Sequence, residues 1–125
     1  MALPDPAQDT YANLATFRRD GREVRTPVWI AGRGGRFYVF SAGNAGKVKR
    51  VRANGRARLA TCDLRGNVQS DWLDVTARVL NSEADIAAAL AALRKKYGLQ
   101  MWLTDFIAKL SGRFKNRAYL EIEVR

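Results

Sequence analysis

The sequence predicts a single, mostly β domain with a few helices packed on it. Short runs of β-branched, aromatic or alternating residues recur between glycine-containing turns over the first 80 residues. The apolar spacing becomes helical after Ser82 and alternates again near the C-terminus. This order gives about six strands and two to three helices, and strands so closely spaced favour a barrel or sandwich over a parallel α/β sheet.

The first part of the chain predicts a three-stranded meander. Asp20-Gly21 is a hairpin signal, and the glycines at 32–35 mark a second turn. The strands are 11–17, 23–31 and 36–41. For 11–17 the alternative is the end of a short helix. Pro27 lies within the second strand, so that strand belongs at an edge, at a bulge or where hydrogen bonding is interrupted.

The remainder alternates between strands and helices. A small-residue loop at 42–46 leads to one or two helical turns at 47–53, with Val48 and Val51 facing inward. Strands follow at 57–63 and 71–80. Ser82 begins a helix that ends at Gly98, and a second helical segment has an apolar face and ends at Gly112. That face holds Leu103, Phe106, Ile107 and Leu110, and a last strand follows at 118–124.

The composition excludes several kinds of active site. The chain has no histidine and one cysteine, Cys62, so a Ser-His-Asp triad, a Cys-His dyad, a histidine-ligated zinc and an intrachain disulfide are excluded. We interpret Cys62 as a small buried hydrophobe. We predict no metal site and assign no catalytic residue, and a bound cofactor is the simplest source of chemistry.

The charge balance predicts an anionic ligand. Lys and Arg number 22 against 12 Asp and Glu, giving a formal charge of +10, which attracts nucleic acid, acidic lipid or a phosphorylated molecule alike. No apolar run is long enough to span a membrane. The first ten residues have no signal-peptide pattern, so we expect a cytoplasmic protein.

The densest basic segment runs from Gly46 to Arg52. A small-residue loop that enters a helix presents free N–H groups to an anion, and lysines add charge there. The alternative is a solvated basic face. The segment is neither a Walker A loop nor a dinucleotide fingerprint, because the required glycine spacing is absent.

A second notable segment is residues 25–29, Arg-Thr-Pro-Val-Trp. A flat ring system could lie against the interrupted backbone around Pro27 and take hydrogen bonds from it. The alternative is a barrel edge with Trp29 in the core. Trp72 and Trp102 are further stacking candidates, but such residues are more often core or interface.

Five short segments occur here in a recognisable order and spacing: 25–29, 37–41, 46–50, 54–56 and 63–66. In this combination the chain resembles the pyridoxamine 5′-phosphate oxidase-like split β-barrel proteins. Within them it is similar to the flavin/deazaflavin oxidoreductases that use coenzyme F420. The match covers about residues 11 to 80 and includes the last strand.

The resemblance implies a homodimer with two cofactors, FMN or F420, in grooves between the subunits. The ring would lie along Pro27, Val28 and Trp29, and Ser41 and Lys47 would hold the phosphate. The full set of implied cofactor-binding residues is Arg25, Thr26, Pro27, Val28, Trp29, Ser41, Gly46, Lys47, Val48, Lys49, Arg50 and Arg52.

The sequence also departs from the family pattern. Asn54-Gly55-Arg56 stands where the family has Asn-Pro-Arg, and Gly46 stands where pyridoxamine phosphate oxidase has an arginine. We therefore do not expect the vitamin-forming reaction. The helical stretch 82–111 has the weakest relation to the family.

Three functions are compatible with these observations. The first is an oxidoreductase that transfers hydride between the reduced cofactor and a small organic acceptor; the acidic tail of F420 would use more of the positive charge than FMN. The second is a non-catalytic flavin-binding protein. The third is a basic barrel that binds single-stranded nucleic acid through Phe37, Tyr38 and Phe40, which we consider the least favoured.

Overall fold

Seven strands form one antiparallel sheet in the computed structural model, which describes residues 3–6 and 8–125. The strand order is β2-β1-β5-β6-β7-β4-β3. The strands are β1 (Tyr11–Phe17), β2 (Glu23–Val28), β3 (Ile30–Arg33), β4 (Arg36–Ala42), β5 (Arg56–Cys62), β6 (Leu73–Val79) and β7 (Arg117–Val124). The helices are α1 (Gly46–Ala53), α2 (Glu83–Tyr97) and α3 (Leu99–Leu110), with a 3-10 turn at Phe114–Asn116.

The sheet curls because its two edge strands are consecutive in the chain. Strands β2 and β3 lie at opposite edges, yet only Trp29 separates them. Val28 pairs with Ala12 of β1, whereas Ile30 pairs with Val39 of β4. One segment therefore belongs to both edges, and the result is a split β-barrel, as the sequence predicted.

The predicted single strand 23–31 is wrong in one respect, because the structure divides it at Trp29. Pro27 has no N–H to donate, and the chain changes pairing partners within three residues of it. The sheet therefore has seven strands rather than about six. The segment 11–17 is a strand and not a helix end.

The interior of the barrel is filled by one face of each strand. Its fully buried side chains are large and branched, and burying each contributes about 1.5–3 kcal/mol. They include Leu14, Ile30, Val39, Leu59, Val75, Leu120 and Ile122. Val51 of α1 joins this core and Val48 is fully buried, which confirms that both face inward. Cys62 is buried too, as expected.

Helix α2 packs on the outside of the sheet over β3, β4 and β7. The Ser82 hydroxyl accepts a hydrogen bond from the N–H of Asp85 and so caps the helix. Leu93 and Tyr97 are buried against the sheet. Gly98, at φ +52°, ends the helix in a conformation that other residues rarely adopt.

Helix α3 is fixed to the body through Asp105. This buried carboxylate accepts from Arg94 at 2.9 Å and from Arg117 at 2.6 Å. The predicted apolar face of α3 is present but exposed. The structure adds two residues to the four predicted ones, so that the face comprises Leu99, Trp102, Leu103, Phe106, Ile107 and Leu110, which are 48% to 78% exposed. Among the described helices, none is both long and apolar enough to cross a membrane.

Candidate functional site

The two segments that the sequence singled out meet in one groove of about 350 Å³. Pro27, Val28 and Trp29 come from the corner between β2 and β3, and Lys47 comes from α1. We call this space the Trp29–Lys47 groove. Its remaining walls are Tyr11, Phe40, Leu64 and Thr104.

One wall of the groove is a strand edge. Strand β2 pairs with β1 and has no second strand partner among the described residues. Its outer N–H and C=O groups are therefore free to bind a ligand. Pro27 is exposed at this edge, beside the groove.

The Trp29 corner is held by Tyr97 of α2. The two rings are stacked, with centroids 4.6 Å apart and planes at 15°. The Tyr97 hydroxyl accepts from the N–H of Ile30 at 2.8 Å and lies 2.7 Å from the carbonyl of Thr10, to which it donates. Burial raises the pKa of Tyr97 to about 12, so the hydroxyl stays protonated at neutral pH.

Lys96 reinforces the same corner from the other side. Its ammonium donates to three backbone carbonyls, those of Pro6, Asp9 and Ile30. Burial lowers the pKa of Lys96, and the nearby Asp9 opposes that shift. Sequence reasoning missed both Lys96 and Tyr97, which it assigned only to the end of a helix.

Lys47 lies half-buried at the start of α1 and pairs with no carboxylate in the described part of the chain. Burial lowers its pKa, and the charge of Arg50 lowers it further. Ala45 precedes the helix and supplies no side-chain cap. The N–H of Val48 donates to the carbonyl of Ala45 at 3.1 Å, whereas those of Gly46 and Lys47 have no acceptor in the described residues. This end of the helix therefore favours an anion.

Gly43 fixes the loop that leads into α1. Its N–H donates to the carbonyl of Asn116 at 2.8 Å. A Cβ at this position would overlap that carbonyl oxygen, so only glycine permits the approach. The loop before α1 is thus held against the 3-10 turn that precedes β7, which sets the position of Lys47.

Ser41 lies in a different cavity from Lys47. This larger space, of about 780 Å³, is also lined by Arg113, Asn116 and Arg117. The Ser41 hydroxyl donates to the carbonyl of Ala42 at 3.2 Å. Phe40 borders both spaces, so the implied phosphate pair of Ser41 and Lys47 is divided between two adjoining cavities.

Several implied cofactor residues do not line the Trp29–Lys47 groove. Arg25 lies over the ring of Trp72, 4.7 Å from its centroid, and pairs with Glu23. Thr26 pairs with Leu14, and Val48 is buried in the interior. Gly46 and Arg52 line none of these cavities, and Lys49 and Arg50 line a separate pocket between β1 and α1.

Comparison with known proteins decides the family. The family model described as pyridoxamine 5′-phosphate oxidase matches residues 6–125. The chain belongs to the pyridoxamine 5′-phosphate oxidase family. The resemblance found in the sequence is therefore confirmed at the level of the family, and no curated protein matches the chain.

Several solved structures share the fold at low sequence identity. The heme storage protein HutZ from Vibrio cholerae is similar with a TM-score of 0.71 and 13% identity, over 96% of this chain and 84% of that one. The conserved hypothetical protein Rv2991 from Mycobacterium tuberculosis has a TM-score of 0.69 and 16% identity, over 95% of this chain and 75% of that one. A heme binding protein from Mycobacterium smegmatis has a TM-score of 0.66 and 18% identity, over 100% of this chain and 53% of that one.

We predict that Tyr97→Phe destabilises the protein by about 1–3 kcal/mol, because the buried N–H of Ile30 loses its acceptor. Urea unfolding measures the change. Tyr38→Phe is the control: Tyr38 is also buried, but its hydroxyl makes no hydrogen bond in the described residues, so we expect a change below about 0.5 kcal/mol. Equal losses would contradict the role of the hydroxyl.

The raised pKa of Tyr97 also predicts a pH dependence. The folded state favours the neutral phenol, so its stabilising effect is complete below pH 10.0 and is lost as pH rises towards 12. The free energy of unfolding should fall more steeply over this range in the wild type than in Tyr97→Phe. Parallel pH profiles would contradict this assignment.

Proposed function

We propose that the protein is an oxidoreductase that holds FMN or F420 in the Trp29–Lys47 groove and passes hydride between the reduced cofactor and a small organic acceptor. The observation that carries the proposal is one groove with a free strand edge, an aromatic corner and an unpaired, half-buried lysine at a helix start. These are the parts that a ring with an anionic tail requires.

The groove fits the chemical nature of such a ring. Its volume of about 350 Å³ is at the lower end of ligand pockets, a size that suits a flat ring. Tyr11, Trp29 and Phe40 supply aromatic walls, and the backbone edge of β2 supplies donors and acceptors for polar ring atoms. Lys47 and the first turn of α1 supply the positive end for a phosphate.

The chemistry of hydride transfer belongs to the cofactor, and the chain supplies its placement. Trp29 and Phe40, whose rings meet edge to face with centroids 6.0 Å apart, form an apolar wall of the groove. Lys47 neutralises an anionic group. Burial lowers the pKa of Lys47, and a bound anion opposes this by favouring the charged form of the lysine. Tyr97 acts through Trp29 as a positioning residue. This arrangement needs no histidine as acid or base.

Heme is the cofactor named for two of the structural neighbours, but the groove supports it less well. The chain has no histidine, and the residues that line the groove include no cysteine or methionine. Tyr11 lines the groove, and tyrosine is a side chain that can bind heme iron. The absorption spectrum after addition of hemin, FMN or F420 separates these cofactors.

The nucleic-acid alternative loses its main support. Tyr38 is buried, Phe37 packs against the barrel core, and Phe40 forms a cavity wall. These three side chains therefore present no exposed row on which bases could stack.

We predict that Lys47→Ala weakens the binding of FMN or F420 by about 1–3 kcal/mol, the scale of a charge-assisted contact. Fluorescence titration measures the change. Lys95→Ala is the control, since Lys95 is an exposed lysine on α2 and lines a pocket apart from the groove and from α1. Unchanged affinity in Lys47→Ala would refute the phosphate site.

Turnover separates an enzyme from a carrier. The enzyme should oxidise the bound reduced cofactor faster in the presence of an unsaturated organic acceptor, and this can be followed by absorbance. A cofactor that binds but is not oxidised by any acceptor of a broad panel would favour the non-catalytic flavin-binding protein.

The cytoplasmic location stays a prediction.

We also propose that the homodimer forms through the exposed face of α3. This face holds six large apolar side chains, none charged, and such a patch marks an interaction surface. A two-fold axis would place this face against the same face of a second copy. Two chains that each carry a formal charge of +10 repel one another, and an uncharged face is where that repulsion is smallest. Thr104 and Ala108 of α3 border the groove and the larger cavity, so the partner would lie beside both.

We predict that Leu103→Glu/Ile107→Glu converts the dimer to a monomer, because four charges would be buried without partners. Light scattering after size-exclusion chromatography measures the mass. Leu3→Glu changes an exposed leucine outside α3 and should leave the dimer intact. A dimer that persists in the double variant would place the interface elsewhere.

A further inference from the structure

The second basic feature of the molecule is a pocket of about 560 Å³ between the end of β1 and helix α1. Four cations line it: Arg18 and Arg19 from the hairpin turn, and Lys49 and Arg50 from α1. Asn54 lies at its rim. We call it the β1–α1 pocket, and the proposed coenzyme function does not use it.

The residues that line this pocket include four cations and no acidic side chain. None of the four cations forms an ion pair within residues 3–6 and 8–125. Asp20 is the acidic residue of the hairpin turn; the charge of Arg18 acts on it, but its ion pair is with Arg22 at 2.8 Å. Concentrating like charges without a counter-ion is unfavourable, so a bound anion stabilises the pocket.

Arg50 is held in place between this pocket and the Trp29–Lys47 groove. Its Nε donates to the hydroxyl of Thr16 at 2.7 Å. Its guanidinium crosses Gly46, where a Cβ would lie 2.8 Å from Nη1. The glycine therefore makes room for the arginine, and the terminal nitrogens make no hydrogen bond to the described residues.

The charges also act on one another along this path. Burial lowers the pKa of Arg50, and the charge of Arg18 lowers it further. Burial and then Arg50 do the same for Lys47. Cationic groups therefore extend from the groove, past the start of α1, into the pocket.

We propose that the β1–α1 pocket is a second anion site, which binds a group with at least two negative charges, phosphates or carboxylates. This chemistry has two possible sources. One is a separate small molecule, such as one that carries a pyrophosphate. The other is an anionic tail of the coenzyme itself, an option that rests on the proposed function.

Inorganic pyrophosphate is the probe, titrated calorimetrically into the coenzyme-free protein at fixed ionic strength. We expect saturable binding, weakened about tenfold or more in Arg18→Ala/Arg19→Ala, since each lost contact is charge-assisted. Arg18→Lys/Arg19→Lys should restore most of it. Both positions are exposed in the wild type, and thermal unfolding verifies that each variant is folded.

The control is Arg33→Ala/Arg65→Ala, which removes the same charge from exposed positions outside the pocket that have no ion pair in the described residues. It should change the affinity by less than about twofold, the effect of net charge under screening. An equal loss in the control, or no saturable binding to the wild type, would overturn the proposal. Tight binding of single-stranded DNA without binding of pyrophosphate would overturn it as well.

Competition identifies the source of the anion. If F420 displaces pyrophosphate and FMN does not, the pocket holds the coenzyme tail. If neither displaces it, the pocket binds a separate molecule. Both results support an anion site. Pyrophosphate carries no ring, so its binding stands or falls independently of the oxidoreductase proposal, which the Lys47→Ala titration tests.

Discussion

The contact between Tyr97 and the Trp29 corner is the interaction on which the rest of the structure depends. The barrel closes because one chain segment leaves β1 and joins β4 at this residue. The N–H of Ile30 would otherwise lie buried without a partner, and the Tyr97 hydroxyl supplies one. The ring of Tyr97 then fixes the plane of Trp29. One helical side chain therefore closes the barrel and shapes the groove.

The elements of the fold follow from local patterns, whereas their break at Trp29 does not. Alternation along β7 and helical spacing along α2 are visible within a few residues, and both elements were predicted. Trp29 separates two strands because its neighbours pair in opposite directions along the chain, Val28 with Ala12 and Ile30 with Val39. Its support comes from a tyrosine 67 residues from Ile30. Pro27 was the local sign of this change, but it does not show where each half pairs.

The same limit applies to the site. The sequence predicted that Pro27, Trp29 and Lys47 belong together, and the groove that contains all three is consistent with this. It did not separate Ser41 from Lys47, because the turn at Gly43 directs them to adjoining cavities. Nor did it show that Lys47 faces the groove while Lys49 and Arg50 face another pocket, because consecutive residues of a helix point in different directions around its axis.

The distribution of the acidic side chains explains where the molecule is positive. Glu23, Asp105 and Glu121 are each largely buried, and each pairs with two arginines. With 12 acidic residues against 22 basic ones, this sharing neutralises other parts of the surface efficiently. The cations that remain without an ion pair in the described residues include Arg18, Arg19, Lys47, Lys49 and Arg50. Charge therefore collects along α1 because the fold places its few carboxylates elsewhere, and an anionic ligand is the counter-charge that this side of the molecule lacks.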